Sequence, residues 1–120
     1  PDMLTDRTER FLVEELIREQ AFLHVREEIP HALAVHVERM DDAPEREKVF
    51  IEANVIVERD SQRFILIGKG GSMIKSIGQK ARKEIEELLG RPVFLSLHVK
   101  VIKKWRKAEG ALRELGYHRR

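Results

Sequence analysis

The chain has 120 residues, of which 42% are apolar, enough for one core of ordinary domain size. Its 23 lysines and arginines nearly balance 21 aspartates and glutamates, so any preference for a charged partner must come from where the charges sit. It has no cysteine, which excludes a disulfide framework, a thiolate zinc site and a cysteine nucleophile, and points to an intracellular setting.

No apolar run approaches the roughly 18 residues of a membrane-spanning helix, and the N-terminus lacks the basic and apolar stretches of a signal peptide. Beginning at Pro1, the chain is expected to be a piece of a longer protein, with residues 1–5 a linker from a missing N-terminal domain. Asp6 with Glu9 three residues later resembles a capping box and starts a first helix. Leu12, Leu16 and Leu23, with Val13, Ile17 and Ala21, keep helical spacing until Pro30. Leu33, Val35 and Val37 then alternate with Ala34, His36 and Glu38. After the polar turn "DDAPER", Ile51, Ala53, Val55 and Val57 alternate with polar residues, giving an antiparallel hairpin.

"DSQRFILIG" suits a short helix capped by Asp60 or a strand equally well. From Ser72 a stripe of Ile74, Ile77, Ala81, Ile85 and Leu88 predicts a helix that stops at Gly90 and Pro92. Val93, Leu95, Leu97, Val99 and Val101 predict a third strand. A last helix carries Trp105, Ala108, Leu112 and Leu115, and ends at Gly116; Trp105 fits the core better than a stacking role. One domain over residues 6–116 and a tail over 117–120 follow. The fold class is α+β, a mixed three-stranded sheet with helices on one face, in the order α-β-β-α-α-β-α.

The charge is concentrated in "RFILIGKGGSMIKSIGQKARK", residues 63–83, which hold six bases and no acid. Outside it, 17 bases face 21 acids. The helix from Ser72 also runs against its own dipole, which favours acids early and bases late. Lys75, Lys80, Arg82 and Lys83 fill its first two-thirds, while Glu84, Glu86 and Glu87 crowd its end. Just before it, Gly68, Lys69, Gly70 and Gly71 let a phosphate approach the backbone amides. Ile65, Ile67 and Ile74 are candidates for an apolar groove wall against unstacked bases, with Ser72, Lys75, Lys80, Arg82 and Lys83 beside the phosphates. A tight turn next to a solvated helix face would account for the glycines and lysines, but not for the missing acids.

Spacing excludes two phosphate loops. Walker A requires Gly-Lys-Ser/Thr, and Lys69 is followed by Gly70. A dinucleotide fingerprint from Gly68 requires glycine where Met73 stands. His24, His31, His36, His98 and His118 are scattered without metal-ligand spacing, so no metal site is expected. His36 and His98 share the polar face of their strands. The carboxylates form no catalytic pair. A second basic cluster, Lys100, Lys103, Lys104, Arg106 and Lys107, extends an RNA path or is a solvated turn.

The Gly-x-x-Gly arrangement over Gly68–Gly71, set between two strands, resembles the KH domain in its type II form. "ELIREQAFLHVREEIPHALAV", "VIVERDSQRFILIGKGGSMIKSIGQKARKEIEELLGRPVFLSLHVKVIKKWR" and "LRELG" together resemble the C-terminal KH domain of the bacterial Era GTPase family. One departure is His98, where tryptophan is expected. The resemblance implies non-catalytic binding of single-stranded RNA, the 3′ end of 16S ribosomal RNA during assembly of the cytoplasmic 30S subunit. Gly68–Gly71 would hold the RNA backbone, with Ile67, Ile74 and Lys75 lining the groove. It implies no cofactor in this chain, GTP and magnesium belonging to the missing GTPase domain that joins near Thr5 and Asp6. It also allows peripheral attachment to a membrane. The alternative is a docking or regulatory module that packs on its own GTPase domain or on a ribosomal protein.

Overall fold

The computed structural model describes residues 2–29 and 33–104. The helix expected over Trp105 to Gly116, the tail, His31, His118, Arg106 and Lys107 lie outside the described residues. Helix α1 (Asp2–Val25) starts before the Asp6–Glu9 box, so residues 2–5 are helical in this structure. It ends at Val25, whose carbonyl accepts the Ile29 N–H at 2.8 Å, ahead of Pro30.

Val13, Ile17, Ala21 and Val25 form the buried row of α1, whereas Leu12 and Leu23, expected to face inward, are exposed with Phe11 and Phe22. At about 100° per residue, Leu12 and Leu23 fall far around the helix from Ile17, and one face only can be buried. The smaller row is the one that reaches the sheet.

Strands β1 (Ala34–Asp41) and β2 (Val49–Val57) pair antiparallel, and β3 (Val93–Val101) pairs parallel to β2, in the order β1-β2-β3. The connections dictate this. A short polar turn permits only a hairpin, whereas a parallel neighbour needs a long crossover, which residues 58–92 supply. The turn is anchored from outside itself: the Arg91 guanidinium donates to the carbonyls of Asp42, Ala43 and Arg46 at 2.8, 3.2 and 2.8 Å.

Between β2 and β3 the chain forms α2 (Asp60–Ile67), a 3-10 turn (Lys69–Gly71) and α3 (Ser72–Leu89). The ambiguous "FILI" is therefore helical. Gln62 decides its start, its Oε1 accepting the N–H groups of Glu58 and Arg59 at 3.1 and 3.0 Å. Arg59, extended, is the cap residue, and Asp60 is the first helical residue, where its charge complements the dipole.

One face of the sheet carries the core. Ile51, Ala53, Val55 and Val57 of β2 are fully buried beneath Ile17 and Ala21 of α1, Leu66 of α2, and Ile77, Ala81 and Ile85 of α3. Each fully buried Ile or Val contributes about 1.5–3 kcal/mol. On the other face, His36, Asn54 and His98 stand in one cross-strand row, as the polar alternation implied. Asn54 is nonetheless buried, its Nδ2 donating to Glu38 at 2.8 Å.

The edge strand β1 is tied to α1 at Val37. Glu14, 7% exposed, accepts the Val37 N–H at 2.8 Å, next to a register shift between Val37 and Arg39. Removing that acceptor leaves a buried amide unpaired, so Glu14→Ala is expected to lower unfolding free energy by about 1–3 kcal/mol, read from urea denaturation, and Glu14→Gln by less.

Candidate nucleic-acid interface

Two helices meet at Gly68, where three glycines with positive φ reverse the chain: Gly68 at 75°, Gly70 at 63° and Gly71 at 80°. Their reasons differ. A Cβ on Gly68 would lie 2.6 Å from the Met73 Cβ and 2.8 Å from its amide nitrogen, so this glycine allows α3 to pack directly on the end of α2. At Gly70 and Gly71 the same position is open, with nothing within 4 Å. A ligand can therefore come against the backbone there.

The amides of the loop are not all available. Gly68 N–H donates to the Phe64 carbonyl at 2.9 Å, Gly71 N–H to the Gly68 carbonyl at 3.1 Å, and Ser72 N–H to the Lys69 carbonyl. Among the described residues, the amides of Lys69 and Gly70 have no backbone acceptor. They lie at the start of α3, whose first turn holds no acid and whose cap residue, Gly71, supplies no side-chain hydrogen bond. The positive helix end and two unspent donors thus converge on one exposed spot.

The acids at the far end of α3 have structural work. Glu84 Oε1 accepts from Gln20 Nε2 of α1 at 2.9 Å, and Glu86 Oε2 accepts the Val93 N–H at 2.9 Å and Arg82 at 3.3 Å. Packing thus accounts for two acids that run against the dipole. It supplies no reason for their absence at the other end.

The candidate side chains divide by flank. Gly78 faces β3, its Cβ position 3.6 Å from Leu97, and Lys75 and Arg82 lie on that side at helical spacing. Ser76 and Glu84 face α1, through His24 and Gln20, and Lys80 lies between them. Lys80 is thus removed from the flank that the sequence reading gave it. Among the described residues, exposed Lys69, Lys75, Lys80 and Lys83 make no ion pair, whereas Arg82 is paired with Glu86. Ile67 and Ile74 are half-buried, but Ile65 packs on the rim of the core instead of lining an open wall. Of the second basic cluster, Lys100 lies on the outer sheet face, 3.9 Å from Glu38, and Lys103 and Lys104 follow β3, where Ile102 N–H reaches the Val57 carbonyl at 2.8 Å.

A further wall was missed. Leu95, Leu97, Val99 and Val101 of β3 turn toward the core yet stay half-buried, unlike their counterparts on β2, because β3 is the sheet edge beside α2 and α3. The loop, the α3 flank and the half-buried strand thus adjoin, with polar donors at one end and a partly open aliphatic strip alongside. Alternation in the sequence gives no signal that separates an edge strand from a central one. Among the described residues, no three His, Asp or Glu side chains cluster to hold a metal, and no helix is long and apolar enough to cross a membrane.

This order of elements, with the glycine turn joining α2 to α3, accompanies a match of residues 28–106 to the KH-domain family pattern. The chain belongs to the KH-domain family. It is 51% identical over 117 residues to the GTPase Era of Nostoc sp. strain PCC 7120, covering 98% of this chain and 36% of that protein. Two solved structures each superpose with a TM-score of 0.79 and 39% identity over 92% of this chain, and each is covered to 37% of its own length. One is Aquifex aeolicus Era bound to GDP·AlF4−; the other is Era in complex with MgGDPNP and nucleotides 1506–1542 of 16S ribosomal RNA. The chain thus spans about a third of the length of these relatives and matches the KH-domain part of Era, without the GTPase portion.

The two kinds of glycine separate in stability. Gly68→Ala of this KH domain is expected to cost about 2–4 kcal/mol, through the contact with Met73 and the positive φ together, and Gly70→Ala only about 1 kcal/mol for its φ, both read from thermal unfolding.

Proposed function

We propose that this KH domain binds single-stranded RNA, the 3′ end of 16S ribosomal RNA during 30S subunit assembly in the cytoplasm, as the RNA-binding part of an Era-type GTPase. The observation that carries this reading is the pair of unspent amides at Lys69 and Gly70, set on an acid-free helix start beside a half-buried aliphatic strip. KH loops of this type clamp the backbone of about four nucleotides. The solved Era complex with nucleotides 1506–1542 of 16S ribosomal RNA supports this choice of RNA, at 39% identity to the present chain. On the same reading, GTP and magnesium belong to the GTPase portion of the longer protein, and no step of hydrolysis is assigned to residues of this chain.

In this mechanism the backbone N–H groups of Lys69 and Gly70 donate to phosphate oxygens, with the dipole of α3 and the Lys69 ammonium adding charge. Lys75, on the β3 flank of α3, follows the next phosphate. Bases turn toward Ile67, Ile74 and Leu97, where aliphatic contact tolerates several base identities and positions rather than reads them.

A second reading draws on α1, where Phe11, Leu12, Phe22 and Leu23, with Leu88 of α3, are exposed large apolar side chains. These favour docking of this domain on its own GTPase domain or on a ribosomal protein. That surface is separate from the glycine loop, so the two readings do not compete for the same residues.

With single-stranded RNA of the 1506–1542 sequence as probe, three to five phosphate contacts imply a log-log salt slope of about −2 to −3.5. Replacing Lys69 and Gly70 together by Asp is expected to weaken binding by more than about tenfold, since each acid repels a phosphate in place. The circular dichroism spectrum should barely move and the melting temperature should fall by no more than a few degrees, because both positions are exposed and Asp tolerates the left-handed backbone better than most residues. Lys75→Ala should flatten the slope by about 0.7, and Lys80→Ala should leave it unchanged. Unaltered affinity in the double-Asp variant would remove the loop from the mechanism.

A further inference from the structure

Among the described residues, Phe64 is the most exposed of the large apolar side chains, at 69%. It stands one helical turn before the loop, its carbonyl accepting the Gly68 N–H at 2.9 Å, so its backbone is held by the same junction that holds the glycines. On α2 it is three residues from Ile67, which makes the two surface neighbours, while Leu66 anchors the opposite side of the helix and is fully buried. Phe64 therefore contributes little to the core. It is also the only aromatic residue between positions 51 and 93. The side chains of the adjoining strip are aliphatic, and Phe64 is the single π surface that the α2–α3 unit can offer.

Its surroundings favour an anionic, base-bearing partner over an apolar one. Exposed Asp60 lies one turn before it on α2, but Arg63 adjoins it, Lys69 follows on the loop, and no acid occurs over residues 63–83. The other exposed aromatic pair has a different character. Phe50 and Phe94 lie 5.7 Å apart with Arg46 5.6 Å from the Phe50 ring, and Asp41 and Glu52 line the same depression. That pair is already engaged, its rings tilted at 44° with Arg46 over one of them, and its depression balances Arg39 and Arg46 against Asp41 and Glu52. Among the described residues Phe64 has no ring partner, and every charge over residues 65–83 that follow it is basic.

The geometry points to Phe64 as a base-stacking platform for one nucleotide flanking those held at the Gly68–Gly71 loop. This rests on the RNA-binding reading above and adds to it a contact made through the face of a base. Stacking on an aromatic ring tolerates any base, so Phe64 extends the length of RNA that is gripped without adding sequence choice.

The test uses the 120-residue chain and single-stranded RNA of the 1506–1542 sequence, with 2-aminopurine substituted at one position at a time. Phe64→Ala should weaken binding about 5- to 150-fold, the usual range for losing one stacked base. Phe64→Leu, which stays apolar and helix-forming but has no π face, should lose most of the same affinity, and Phe64→Tyr should keep it. The salt slope should not change in any of the three, because no phosphate contact is removed. One 2-aminopurine position should be quenched on binding to the native chain and bright on binding to Phe64→Leu. If Phe64→Leu binds as tightly as the native chain while the double-Asp loop variant does not bind, the stacking role is overturned and the RNA reading stands. If the double-Asp variant also binds normally, both are overturned.

Discussion

The close approach of Met73 to Gly68 is the constraint on which the interface depends. With 2.6 Å between the Met73 Cβ and the place a Gly68 Cβ would occupy, no side chain fits at this corner, and the chain turns from α2 into α3 without a longer connector. The turn uses the Gly68, Gly71 and Ser72 amides to hold its own shape. What it leaves over, the amides of Lys69 and Gly70, is a by-product of that geometry, and the function proposed for this domain relies on it. Structural and ligand-facing roles are thus split between neighbouring glycines: Gly68 makes the corner, and Gly70 and Gly71 keep its outer side bare.

The two edges of the sheet are treated differently, for reasons that follow from burial. On β1 a buried carboxylate from α1 satisfies one edge amide, that of Val37. On β3 the aliphatic inner face is left half-buried between α2 and α3. Keeping such a strip open costs hydrophobic stabilisation that the fully buried β2 offsets. Glu84 and Glu86 hold α3 at its C-terminal half, against α1 and β3 respectively, so the N-terminal half can carry unpaired lysines without support from neighbouring acids.

The element order and the position of the glycine turn were legible because they depend on local chemistry: alternation in β2 and β3, helical spacing at Ile77, Ala81 and Ile85, and Gly90 as a left-handed stop. Choices settled by tertiary partners were not legible. "FILI" has no periodicity to favour helix over strand, and the helix is set by Gln62 reaching back to Glu58 and Arg59. Of the apolar stripe expected on α1, Val13, Ile17 and Ala21 are buried and Leu16 packs at the core edge, whereas Leu12 and Leu23 are exposed, because position around the helix, and not side-chain size, selects the row. Within the candidate site, the exposed glycine loop and the bases that follow it on α3 were readable from composition. The displacement of Lys80 to the α1 flank, the retreat of Ile65 to the core rim, and the half-open wall of β3 depend on how α3 is rotated and on β3 being an edge.

The most direct measurement is an amide-resolved NMR titration of this chain with single-stranded RNA of the 1506–1542 sequence, following each backbone N–H. Phosphate held by unspent donors predicts the largest shifts at Lys69 and Gly70, with smaller ones through the first turn of α3 as far as Lys75. Shifts confined to the outer sheet face, around Glu52, Asn54 and His98, with the Lys69 and Gly70 amides unmoved, would contradict it.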